Sequence, residues 1–90
     1  MTVTVRMPAA LLPLTDDRRD VEASGATVGE VVASLDAQYP GVSGRLLDAS
    51  GLRRYLNVFL GGSDIRFLDG LATPVPDGAT LTILAAVAGG

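Results

Sequence analysis

The chain has 90 residues, of which 48% are hydrophobic and only 19% charged, so it encodes one small domain with a core rather than a disordered segment. It contains neither cysteine nor histidine, which excludes disulfides, thiolate catalysis and the commonest metal ligand and general base. The formal net charge is −3, all seven basic residues are arginine, and aromatic residues are sparse, a poor basis for nucleic-acid binding, which needs basic surface and stacking rings.

Thr2 to Met7 alternates polar and apolar, with Val3, Val5 and Met7 on one face of a half-buried strand. Pro8 and Pro13 bracket an apolar stretch that is expected to be a loop, because proline cannot sit in a central ladder. After the polar cluster Thr15–Asp20, Val21-Glu22-Ala23 is expected to return as a second strand. Thr27 and Glu30 then have the form of a capping box, with Glu30 reaching back to the Thr27 N–H. Val28, Val31, Val32, Leu35 and Tyr39 recur at helical spacing as one stripe, and Tyr39-Pro40-Gly41 ends the helix. Residues 42–52 are expected to be irregular, with Val42, Leu46 and Leu47 anchored in the core.

Arg53 to Leu60 is the clearest strand pattern, with Leu56, Val58 and Leu60 on one face and Tyr55, Asn57 and Phe59 on the other. Gly61-Gly62 suits a tight hairpin into a short fourth strand over Ser63–Phe67. Residues 71–76, with two prolines, are expected to be loop, and Asp77-Gly78 launches a last strand over Thr80–Leu84. A single amphipathic helix must lie across one face of the sheet to bury its stripe. With the last strand parallel to the first, the fold class is α+β: a β-grasp (ubiquitin-like) domain over residues 1–84. It has a mixed four- to five-stranded sheet, one main helix, and a flexible C-terminal Gly-Gly tail over 85–90.

No apolar run approaches the ~18–20 residues that span a bilayer, and the first residues lack the layout of a signal peptide. A cytoplasmic location away from membranes is therefore expected. No nucleophile stands beside a base, and the carboxylates have no metal-ligand spacing, so the chain is expected to be no enzyme and to bind no cofactor of its own. The tail offers different chemistry. A partner that spends ATP could adenylate the Gly90 carboxylate, and sulfide or a persulfide could displace AMP to leave a thiocarboxylate. Val87, Ala88 and Gly89 would thread into that partner, since glycine accepts backbone angles and narrow channels that other residues cannot. Six residues reach at most ~20 Å. If Leu56, Val58, Leu60, Leu81 and Ile83 face the helix, Tyr55, Phe59 and Leu84 share the opposite face with Asn57 and Thr82. That apolar patch would dock the partner, unless loops cover it.

Several runs carry a family resemblance: Pro8, Leu11, Pro13 and Thr15; Ser24-Gly25 with Thr27 and Gly29; Asn57; Gly70-Leu71-Ala72-Thr73; Asp77-Gly78; Thr82-Ile83-Leu84; and Ala86 to Gly90. Together they resemble the ubiquitin-like sulfur carriers, the ThiS and MoaD proteins, and most closely carriers of the CysO type. The resemblance implies that Gly90 is adenylated and thiocarboxylated by an E1-like (MoeB/ThiF-type) enzyme. The sulfur would then pass to a cysteine synthase-like enzyme or another thio-transfer synthase, as in cysteine or thiosugar biosynthesis. A JAMM-type metalloprotease would release the product, and pyridoxal phosphate, metal and ATP would all belong to partners. Ala85 departs from the family pattern, where proline is expected. Three alternatives stand beside the carrier: a MoaD-like small subunit of molybdopterin synthase, a ubiquitin-like modifier, and a plain β-grasp binding module.

Overall fold

A computed structural model describes residues 2–85 of the chain. Its principal sheet has five strands: β1 (Thr2–Arg6), β2 (Asp20–Ser24), β5 (Leu56–Leu60), β6 (Ser63–Asp64) and β7 (Thr80–Ala85), in the order β2-β1-β7-β5-β6. The central pair β1 and β7 is parallel, with Val5 opposite Leu81, and the remaining pairs are antiparallel. Helix α1 (Val28–Gln38) supplies the crossover cover. A short helix α2 (Val42–Leu46) and a small hairpin of β3 (Leu47–Asp48) and β4 (Gly51–Leu52) fill the segment expected to be irregular. This is the expected β-grasp arrangement.

The core lies between α1 and one face of the sheet. Val28, Val31, Val32 and Leu35 of the helical stripe are buried, as are Val3, Val5, Val58, Leu81 and Ile83 from the strands. Tyr39 packs at its margin, partly buried. Period-2 alternation in the strands and the 3.6-residue stripe in the helix each deliver one apolar face, and only their apposition removes both from water.

Local chemistry sets the ends of α1. The Thr27 hydroxyl accepts from the Glu30 N–H at 3.3 Å, while the Glu30 carboxylate takes the Ala26 N–H at 2.9 Å rather than that of Thr27. The expected reciprocal box is thus displaced by one residue, at the point where Thr27 lies opposite Pro74 in an isolated antiparallel bridge. The neighbouring bonds, Val28 N–H to the Thr73 carbonyl at 3.1 Å and Val75 N–H to the Ala26 carbonyl at 2.8 Å, pin the proline-rich loop to the helix start. Gly25 is needed here: a Cβ would lie 2.7 Å from the Val31 nitrogen. At the other end Tyr39, ahead of Pro40, leaves helical geometry. Asp36 then caps α2 by accepting from the Gly41 and Ser43 N–H groups at 3.1 and 3.0 Å.

Other segments depart from the expected elements. Ala9–Thr15 is a 3₁₀ helix rather than a loop, with Leu11 and Thr15 buried and Pro13 inside it. The Thr15 hydroxyl donates to the Arg18 carbonyl at 2.8 Å, which explains how a polar side chain is tolerated at 0% exposure. Strand β5 begins at Leu56 rather than Arg53, because the Leu56 N–H closes a turn onto the Arg53 carbonyl at 3.0 Å. β6 stops at Asp64, and Ile65–Phe67 turns into a 3₁₀ helix. β7 continues through Ala85, which pairs with Leu56, one residue beyond the expected end of the strand.

Candidate functional site: the sheet face beside the end of the last strand

Register decides which side chains share the uncovered face. In the antiparallel β5–β7 pair, Asn57 lies opposite Leu84 and Phe59 opposite Thr82. Opposed residues point to the same side of a sheet, so Asn57, Phe59, Thr82 and Leu84 lie on one side. Leu56, Val58, Leu81 and Ile83 take the other, core side at 0–3% exposure. Phe59 and Leu84 are diagonal neighbours on the uncovered face. Leu84 is 48% exposed and Phe59 partly buried.

Tyr55 reaches the same end by another route. It is not on the strand but in the turn before it, 42% exposed, next to Leu56, which pairs with Ala85. Of the expected patch residues, Phe59 and Leu84 therefore share the outer face through strand alternation, whereas Tyr55 stands in the turn before β5 rather than on that strand face. The remaining expected site residues, Val87, Ala88, Gly89 and Gly90, lie outside the described residues.

A hydrogen-bonded arginine borders this patch. Arg66 donates through one terminal nitrogen to Asn57 Oδ1 at 2.6 Å, and through the other to the carbonyl of Arg53 at 3.0 Å and, more distantly, of Arg54 at 3.5 Å. One planar guanidinium thus joins the β5 strand, the turn carrying Tyr55 and the segment after β6, a use suited to its rigid fork of donors. Farther along the face, Arg6 pairs with Asp20 at 3.1 Å with both side chains half exposed, a surface pair that contributes little to stability.

Sequence reasoning missed Phe67 and Leu68, which are 87% and 45% exposed. Read as a strand, 63–67 puts Phe67 on the same side as Ile65. In the observed 3₁₀ turn, at three residues per turn, residues two apart point in different directions, so Ile65 is buried and Phe67 faces solvent. The signal was Asp64: its carboxylate accepts from the Arg66 N–H at 2.9 Å, the Asx-type bond that favours a turn over a continuing ladder.

Among the described residues no group of three or more potential metal ligands gathers, and no helix is long and apolar enough to cross a membrane. Two carboxylates titrate low: Asp36, held down chiefly by its hydrogen bonds from Ser43, and Asp48, held down chiefly by those from Ser50. Asp36 serves the cap of α2 and Asp48 the turn between β3 and β4, neither of them the patch.

Comparison with known proteins identifies the lineage. Residues 5–90 match the ThiS family. The chain is 47% identical to the sulfur carrier protein CysO of Mycobacterium tuberculosis, with 100% of both chains covered. It is 42% identical to small archaeal modifier protein 3 of Haloferax volcanii over 72% of this chain and 71% of that one. Its backbone superposes on a chain from the crystal structure of the Amycolatopsis orientalis BexX/CysO complex with a TM-score of 0.93, at 44% identity, covering 98% of this chain and 99% of that chain. The chain belongs to the ThiS family.

Proposed function

We propose that this protein is a cytoplasmic sulfur carrier that works through the carboxylate of Gly90. An E1-like (MoeB/ThiF-type) enzyme adenylates that carboxylate with ATP, releasing pyrophosphate. Sulfide then displaces AMP, leaving a thiocarboxylate, which is ionised near neutral pH and is a soft nucleophile. The thiocarboxylate passes sulfur to an acceptor enzyme, a cysteine synthase-like enzyme or another thio-transfer synthase. In the first case the thiocarboxylate sulfur bonds to an aminoacrylate held by the synthase, and the acyl group shifts from sulfur to the amine. A JAMM-type metalloprotease then hydrolyses that amide to free cysteine from the carrier's end. The chain supplies no catalytic group of its own; Val87, Ala88 and Gly89 carry Gly90 into each partner, while Tyr55, Phe59 and Leu84 dock outside.

The observation that carries this reading is the full-length similarity to CysO carriers, with a family match that runs through Gly89 and Gly90. The complex of the Amycolatopsis orientalis CysO with BexX supports association with a partner protein. A protein-modifier role is the second reading, favoured by the similarity to small archaeal modifier protein 3; it predicts isopeptide adducts on target lysines.

Intact mass after incubation with a MoeB/ThiF-type enzyme, ATP and sulfide tests the carrier. The expected result is replacement of one oxygen by sulfur in the full chain and no change in a chain lacking Gly90. An unchanged mass with an enzyme that thiocarboxylates its own carrier would refute it.

A further inference from the structure

We infer that Arg66 organises an apolar rim around the end of β7, and that Phe67 is the principal anchor on that rim for the enzyme that receives the C-terminal residues. The inference rests on the carrier reading above and adds a residue and a positioning device to it. The four exposed large apolar side chains among the described residues are Tyr55, Phe67, Leu68 and Leu84. They come from three separate segments, and the hydrogen bonds of Arg66 tie together the stretches of chain that carry them. It bonds Asn57, which lies opposite Leu84, and the carbonyls of Arg53 and Arg54, which lead into Tyr55. Phe67 and Leu68 follow Arg66 directly in the chain.

An aromatic ring left 87% exposed costs solubility and contributes almost nothing to folding, and exposed apolar clusters of this kind mark interaction surfaces. The occupant follows from reach. β7 ends at Ala85, and five further residues span at most ~18 Å even when fully extended. An enzyme that acts on Gly90 must therefore bring its own surface against the region around Ala85, where Arg66 gathers the rim. The partner accordingly presents an apolar pocket for the Phe67 ring. Arg54, exposed beside Tyr55, adds positive charge to the rim of a chain whose net charge is −3, so an acidic margin to that pocket fits best.

Steady-state thiocarboxylation by a MoeB/ThiF-type enzyme, with carrier concentration varied, tests the inference. Phe67→Ser is expected to raise the apparent KM for the carrier about tenfold, with kcat and Tm unchanged, and Phe67→Tyr to stay near the wild type. Arg66→Gln, which cannot span all three acceptors, is expected to raise KM several-fold without lowering kcat. An unaltered KM for Phe67→Ser, with the wild-type chain turned over, overturns the inference and leaves the carrier reading intact. Failure of the wild-type chain with an enzyme active on its own carrier removes the carrier reading, and the anchor with it.

Discussion

The two faces of β5 and β7 are built by the same strands to opposite ends. On the inner face Leu56, Val58, Leu81 and Ile83 are at most 3% exposed, closed over by α1. On the outer face the alternate residues Asn57, Phe59, Thr82 and Leu84 remain partly or largely accessible, bordered by Arg66. A period of two forces this division, since each strand must give every second side chain to each side. The inner face therefore carries folding free energy, while the outer face stays accessible to solvent. Substitutions on the two faces should separate cleanly in their consequences.

The strongest way to break that separation is in the core. Leu35 is fully buried, so Leu35→Ala is expected to cost about 2–5 kcal/mol through lost burial and the residual cavity. Urea titration should show a lower midpoint at unchanged slope, with transfer activity kept under folding conditions; a loss below ~1 kcal/mol would contradict the packing described. A charge on the outer face should do the reverse. Leu84→Asp is expected to weaken binding to the activating enzyme by roughly fivefold or more while changing stability by no more than about 0.5 kcal/mol. Calorimetry and thermal unfolding of the same variant check both halves, and unchanged affinity would remove Leu84 from the docking surface.

The smallest expected effect belongs to neither face. Hydrogen bonds from Ser43 and Gly41 lower the folded-state pKa of Asp36 below its ordinary 3.8. Its stabilising contribution is therefore complete above the unfolded value and is lost as pH falls through the lower folded one. The wild-type Tm should decline through this acid window, and Asp36→Asn should show a shallower decline there and a slightly lower Tm at neutral pH. Identical acid limbs for the two proteins would show that the cap does not titrate with folding.

Several features were legible because they depend on local periodicity or local chemistry. Val3/Val5, Leu56/Val58 and Leu81/Ile83 announce strand faces by alternation, Val28/Val31/Val32/Leu35 announce the helix stripe, and Thr27 and Pro40 mark its two ends. These are short-range signals, and the structure keeps all of them. Segments without a period were harder to assign. Residues 42–52 conceal a short helix and a two-residue hairpin, and Ala9–Thr15 conceals a 3₁₀ helix. Such elements are stabilised by burial of Leu11, Val42 and Leu46 in a core assembled from elsewhere, so their own residues carry little of the information.

The sequence by itself determined the order of the main elements and the side chains each one buries, because alternation, capping and turn chemistry act between near neighbours. Only the tertiary structure decided the composition of the surface around the end of β7. The β5–β7 register sets Leu84 beside Phe59, a turn onto Arg53 leaves Tyr55 exposed, and the long-range bonds of Arg66 tie both to the segment that carries Phe67 and Leu68. Contacts of that range depend on how the elements pack against one another, and no local pattern encodes them.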